Sequence, residues 1–292
     1  MDFTNRIELS CFGMRRSGNH AFVNWVRSQT TGKFLHINNA KIYTSEDPYD
    51  RFAECTTFAI NPLVTERGLR GFKRFIKYAL HRGQVEYIYA GYGAEGQNID
   101  REALRQQQKS LLVHSYEHYL LEDVLEDWLK TDREKFLGTS QYTFDVVLLR
   151  DPFNLFASLI KRNEDFSKPY SAINKWKSHA REYLGYTNYL EHKVAVSYNS
   201  WFQDKEYRRN LADCLKVDFT DAGLNSVPIF GNGSSFEGQS FNGSAQQMGV
   251  LSRYKKFLDH PVMKRVMADE EVRELAHEAF GDILDSAETV RS

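Results

Sequence analysis

Residues 6–28, RIELSCFGMRRSGNHAFVNWVRS, limit the fold more than any other stretch of this chain. RIELSCFG reads as a short apolar strand, and HAFVNWVRSQ continues as a helix with Phe22, Val23 and Val26 on its apolar side. The turn between them is bounded by Gly13 and Gly18, spaced as in a Walker A loop. Asn19 and His20 stand where that loop would carry Lys and Ser or Thr. The chain thus opens with a loop of phosphate-cradling form that lacks the lysine and the magnesium-binding hydroxyl of an NTPase.

A strand that turns into a helix starts a parallel sheet, and the rest of the chain keeps the alternation. KFLHINNA predicts a second strand, KSLLVHSYEH a strand with a polar exit, FDVVLLRDP the clearest strand, and KVAVSYNSWF a strand leading to a turn. YLLEDVLEDWLKTD, FNLFASLIKRNED, INKWKSHAREYLGYTNYL and KEYRRNLADCL predict helices, and the tail beyond residue 250 is helical. Asp151 and Pro152 suit the first turn of the helix they open. The expected fold is α/β: a central parallel sheet flanked by helices, one domain over 1–292, with ligands at the C-terminal ends of the strands. Residues 45–100 resist assignment, apart from LRGFKRFIKYALHRG, an amphipathic basic helix with Phe72, Phe75, Ile76 and Ala79 on one face. That helix either faces the core or docks on a membrane surface. Residues 223–246, rich in Gly, Ser and Asn, are either disordered or a functional lid.

Composition narrows the classes. With 38 basic against 39 acidic residues, the chain lacks the excess a general nucleic-acid binder needs, though a local anion site stays open. Apolar residues make up 41%, enough for a sizeable core. The 3 cysteines, Cys11, Cys55 and Cys214, fit no disulfide framework and no zinc spacing, so a reducing compartment is expected. No run approaches the ~18 apolar residues of a membrane span, and the N-terminus lacks a basic start and apolar stretch. A cytoplasmic protein is the expectation.

Three elements point to an anion. In the first, backbone N–H groups of the Gly-bounded turn meet the positive end of a helix, with Arg15 or Arg16 in reach. In the second, VVLLRDPFNLFASLIKR, Arg150 leaves a buried strand at its C-terminal end, with Ser158 two turns into the helix. Arg150 and Asp151 could instead form a local ion pair, or Asp151 could serve as a Walker B carboxylate on magnesium. In the third, GNGSSFEGQ followed by LSRYKK, Ser234, Ser235 and Phe236 could bond and stack a base, while Arg253, Lys255 and Lys256 close on a terminal phosphate.

Together these elements resemble the sulfotransferases that use 3′-phosphoadenosine 5′-phosphosulfate (PAPS). In that family an early [KR]SGT loop holds the 5′-phosphosulfate, and RSGN, Arg16 to Asn19, is similar to it. The resemblance implies that the loop Arg15, Arg16, Ser17, Gly18, Asn19 and His20 holds that group. It gives Arg150 and Ser158, with the family's spacing of Arg and Ser, the 3′-phosphate. It places Tyr198, Ser234, Ser235 and Phe236 about the adenine, and Arg253 on the 3′-phosphate. Similarity runs over roughly residues 7–30 and 110–257, in the family's order. Arg16 stands for the usual Lys and keeps its charge; Asn19 and His20 replace two Thr, and Ala21 replaces a Trp that often stacks on adenine. The implied fold is the P-loop-like sulfotransferase fold, and the implied product is PAP, formed without a metal.

Sulfuryl transfer to a hydroxyl needs a general base. LLVHSYEH resembles the family's KTH strand end, although an ungapped match sets His114 on the Lys and Tyr116 on the His. We assign the base to His114, with Glu117 and His118 in reserve and His20, beside the phosphosulfate, as a fourth candidate. Arg16 is assigned to the leaving phosphate. The acceptor is a small molecule: a natural product, sugar or lipid headgroup, with 45–100 as the variable acceptor-side segment. Carboxylates in YEHYLLEDVLEDW would favour a cationic acceptor if they face the cleft. The rivals are a P-loop kinase or NTPase with Asp151 on magnesium, and an inactive member that binds PAP.

Overall fold

Strand β1 (Asn5–Gly13) is buried at every position except Arg6, although polar Glu8 and Ser10 alternate with Ile7, Leu9 and Cys11. A strand in a parallel sheet is covered on both faces. After the turn at 14–18 comes α1 (Asn19–Ser28), which buries Phe22, Val23, Trp25 and Val26. Next follow β2 (Phe34–Ile37), β3 (Glu54–Phe58), β4 (Ile88–Gly91) and β5 (Lys109–Glu117). Then come α2 (Arg133–Leu137), β6 (Ser140–Leu149), α3 (Pro152–Lys161) and α4 (Pro169–Leu184). The chain finishes with β7 (Lys193–Ser197), α5 (Tyr198–Gln203), α6 (Lys205–Cys214), α7 (Pro261–Ala268) and α8 (Glu270–Phe280).

This architecture is that of a computed structural model, which describes residues 3–38, 40, 54–58, 88–91, 106–117, 119–123, 125, 132–164, 166, 169–227 and 233–284. The strands form one 7-stranded sheet in the order β4-β3-β2-β5-β1-β6-β7. Its five strands from β2 to β7 are parallel, as expected for the α/β class. β3 and β4 add an antiparallel edge, Phe34 lying opposite Phe58 and Cys55 opposite Ala90. Both come from the segment the sequence pattern left unassigned, and strands of 5 and 4 residues are too short to show a period. The basic helix predicted over 69–83 and half of the acidic helix predicted over 119–132 lie outside the described residues. The strand predicted to end in a turn at SYNSWF instead passes directly into α5, because the Ser197 hydroxyl accepts from the Ser200 N–H and caps it.

By packing, the chain divides into two units. The first takes Met1–Ser10, Thr30–Tyr116 and Glu126–Phe144. Its apolar interior includes Ile7, Leu9, Leu35, Ile37, Leu111 and Val113, all at 1% exposure or less. The second takes Cys11–Gln29, Glu117–Leu125 and Asp145–Ser292. Its core gathers Leu149 with Phe153, Phe156 and Leu159 of α3, Ile173 and Trp176 of α4, Tyr254, Met263 and Val266 of α7 and Val272 of α8. The Trp176 indole N–H donates to the Arg150 carbonyl at 2.9 Å, so this core fixes the end of β6 as well as filling space. Among the described residues no helix is long and apolar enough to cross a membrane.

Candidate functional site

The second unit collects the predicted anion residues. At the β1–α1 turn, Arg16 sits at φ 69° and Gly18 at φ 95°. A left-handed conformation costs a residue with a side chain about 1–2 kcal/mol, so Arg16 holds a strained backbone at the apex of the loop. Gly18 is the N-cap of α1, no side chain caps the helix, and its first turn contains no acidic residue. The amides at the start of a helix carry partial positive charge, and with no capping group they are left to an outside anion. Ser17 is buried and donates its N–H to the Met14 carbonyl at 3.2 Å, closing the turn. Arg15 is exposed.

Arg150 enters this turn from below. One guanidinium nitrogen, Nη1, donates to the Arg16 carbonyl at 3.0 Å and to the Ser158 hydroxyl at 3.4 Å. Nη2 donates to the Val250 carbonyl at 2.7 Å. The Ser158 hydroxyl donates in turn to the Asn154 carbonyl at 3.0 Å. The guanidinium lies over the Tyr198 ring, 4.9 Å from its centre, and that ring also presses on Gly18. Tyr198 is thus committed to Arg150 and to the turn. Asp151 is fully buried; its carboxylate accepts from the Asn154 backbone and side-chain N–H groups at 2.8 and 3.0 Å, capping α3. Burial drives its pKa up, against the neighbouring Arg150 charge and these bonds.

The third element folds onto the first two. Ser234 and Gly238 pair as a short bridge, so 234–238 is a tight turn. Its Ser235 hydroxyl accepts from Arg16 Nη2 at 2.6 Å. Arg253 Nη2 donates to the Ser234 hydroxyl at 2.8 Å and to Glu237 Oε2 at 2.5 Å. The Arg253 guanidinium stands over the Phe236 ring at 4.6 Å, and the ring meets Phe257 edge-on. Lys256 also lies over that ring, at 5.5 Å. Burial, and then repulsion from Arg150, lower the Arg253 pKa to about 10, with Glu237 opposing. The Nε atoms of Arg150 and Arg253 are both buried without a hydrogen-bond partner among the described residues. The Arg150 charge acts on Arg253, and each guanidinium keeps an unused Nε donor that an added anion would satisfy.

The four base candidates separate. Glu117 ends β5 and accepts from Asn19 Nδ2 at 2.9 Å. His20 Nε2 stands 3.9 Å from the same carboxylate oxygen, with side chains 21% and 14% exposed. This pair borders the uncapped end of α1. His114 belongs to the first unit and is wholly buried. Its Nε2 lies 2.9 Å from Glu8 Oε1 and its Nδ1 2.9 Å from the Tyr116 hydroxyl. The Ser140 hydroxyl donates to Glu8, and Arg133 Nε stands 3.7 Å away. Burial alone would raise the Glu8 pKa, but His114, Ser140 and Arg133 outweigh it and hold the carboxyl below its ordinary value. Both ring nitrogens of His114 are thus engaged inside a closed network. His118 lies outside the described residues.

Sequence reasoning missed Glu237 and the Val250 carbonyl. The spacing of Ser234 and Glu237, a hydroxyl residue followed three positions on by Glu, marks a self-bonded turn. No sequence signal marks a carbonyl.

Among solved structures the chain is similar to the sulfotransferase domain of the Synechococcus PCC 7002 olefin synthase, at 16% identity over 98% of both chains, with a TM-score of 0.41. It is also similar to the sulfotransferase domain of the curacin biosynthetic pathway, at 14% identity over 94% of this chain and 97% of that one, with a TM-score of 0.40. No protein-family model matches the sequence, and no curated protein matches it.

Proposed function

We propose that the chain is a PAPS-dependent sulfotransferase that moves a sulfuryl group to a hydroxyl or amine of a small-molecule acceptor and releases PAP. The observation that carries this is the pair Arg150 and Arg253: two buried, adjacent guanidiniums with unused Nε donors, next to an uncapped helix start. Such a site suits a ligand with two separated anionic groups. The amides at the start of α1 and Arg16 take the 5′-phosphosulfate, while Arg150, Ser158 and Arg253 take the 3′-phosphate. Arg16 already spans the two parts through Ser235. Adenine would lie against the 234–236 turn. The free thiols of Cys11 and Cys214 suit a cytoplasmic setting.

The chemistry is in-line. An acceptor oxygen or nitrogen attacks sulfur, and the bond from sulfur to the bridging oxygen of the 5′-phosphate breaks. By analogy with phosphoryl transfer, positioning and charge neutralisation do most of the work. Arg16 and the α1 amides stabilise the charge that grows on the bridging oxygen. Guanidiniums and amides supply that positive charge, so no step calls for a metal. The acceptor proton passes to Glu117, which Asn19 orients and His20 accompanies. We transfer the role of base from His114 to this pair, because Glu117 and His20 sit at the loop with partly exposed side chains.

The test is a calorimetric titration with PAP in EDTA, with ATP plus magnesium as control, repeated on Arg150→Ala. Metal-independent PAP binding that is lost in the variant supports the reading; turnover of PAPS with an acceptor panel then separates an enzyme from an inactive PAP binder. Magnesium-dependent ATP binding with no preference for PAP overturns it in favour of a kinase.

A further inference from the structure

Arg253 already holds an anion supplied by the chain. Its Nη2 lies 2.5 Å from Glu237 Oε2, and the Ser234 hydroxyl donates to the same oxygen. Arg150, its charged neighbour, bonds two carbonyls and one hydroxyl, all neutral. Of the two buried arginines, Arg253 is thus the one already paired with a carboxylate. A phosphate dianion beside Arg150 and Arg253 would meet the Glu237 carboxylate already paired with Arg253, and in a largely desolvated site two anions on one guanidinium repel strongly.

We infer that Glu237 is a built-in competitor of the nucleotide's 3′-phosphate: its carboxylate and the phosphate claim the same face of Arg253 in alternation. This rests on the PAPS reading above. The turn is built for such an exchange. The paired backbone of Ser234 and Gly238, with N–H···O distances of 2.9 and 3.0 Å, keeps its shape without the carboxylate. Glu237 lies at the tip, 21% exposed by its side chain, with water at hand when it swings off. Arg253 keeps its seat over Phe236 throughout. The consequence falls on product: each PAP that leaves is replaced at Arg253 by Glu237, so the chain binds PAP less tightly than its arginines alone would.

The experiment titrates PAP and adenosine 5′-monophosphate, which has no 3′-phosphate, into the full chain and into Glu237→Gln, Glu237→Ala and Arg150→Ala. Removing the internal carboxylate should tighten PAP about 10-fold, the size of one charged hydrogen bond, and leave the monophosphate within about 2-fold. A damaged turn would weaken both ligands, so a selective gain cannot come from misfolding. If both Glu237 variants bind PAP as the parent does, or more weakly, the competition is refuted while a loss in Arg150→Ala still upholds the PAPS reading. If PAP binding is indifferent to Arg150, that reading fails and the competition fails with it.

Discussion

Gly18→Ala tests whether the β1–α1 turn and Tyr198 are packed as one piece, and Gly185→Ala is its matched control. Both glycines have positive φ, 95° and 86°. An added Cβ at Gly18 would sit 2.1 Å from Tyr198 Cε2 and 2.4 Å from Cδ2, whereas at Gly185 nothing lies within 4 Å. Each substitution forces an alanine into a left-handed backbone, at about 1–2 kcal/mol. Only Gly18→Ala adds a clash. Tyr198 is 5% exposed, faces Arg150 and packs against Trp201 and Phe202 at centre distances of 5.5 and 6.0 Å. It has little room to withdraw, so an overpacking cost of about 1–3 kcal/mol follows. Urea unfolding should therefore put Gly18→Ala about 1–3 kcal/mol below Gly185→Ala. Because the displaced ring drags the Arg150 guanidinium, PAP should also bind more weakly to Gly18→Ala and not to Gly185→Ala. Equal losses of stability in the two variants would refute the packing of Tyr198 onto the turn.

Two further outcomes follow from the titratable groups. Glu8 has a folded pKa below its ordinary 4.5, so its contribution to stability is fully present above that value and is lost as pH falls through the depressed one. The stability advantage of the parent over Glu8→Gln, read from urea midpoints between pH ~6 and ~3, should shrink on the acid side. Glu117→Gln should keep PAP affinity while slowing PAPS turnover about 10²–10⁴-fold, the usual share of a general base; an unchanged rate would remove Glu117 from the proton path.

The sequence discloses most of the fold because the parallel strands are buried on both faces. VVLL within β6 is a continuous apolar run and RIELSCFG carries Ile7, Leu9, Cys11 and Phe12, and each strand is followed by a helix whose first turn is marked, by Asp151–Pro152 in one case and by Gly18 in the other. The antiparallel edge is illegible for the opposite reason. ECTTF and IYAG are short, and each is recognised only by its partner: Cys55 is a strand residue because Ala90 lies opposite. The sequence marked Arg16, Arg150, Ser158, Ser234, Ser235 and Arg253 one by one, and the structure brings them together. Their coupling was not legible, since Arg16 meets Ser235 across 219 positions and Arg150 meets Val250 across 100. Local propensity carries no trace of contacts at that separation.

The choice of base shows what pattern alone leaves open at a strand end. Side chains alternate along β5, so His114 and Tyr116 share one face and Glu117 takes the other. Matching a motif by residue type favours a histidine and so favours His114. The identity of the face is decided elsewhere, by Glu8 on β1 and Ser140 on β6, whose polar atoms complete a closed network around the imidazole. Both nitrogens of His114 have buried partners, whereas Glu117 and His20 stand partly exposed beside the turn. Glu117 is the last residue of β5, and the Asn19 that holds it is the first residue of the uncapped helix. From that position the Asn19 Nδ2 donates to Glu117 at 2.9 Å, an amide bond that a hydroxyl side chain in its place would not make. On the proposed function, substituting either Asn19 or Glu117 alone should disturb the proton path more than nucleotide binding.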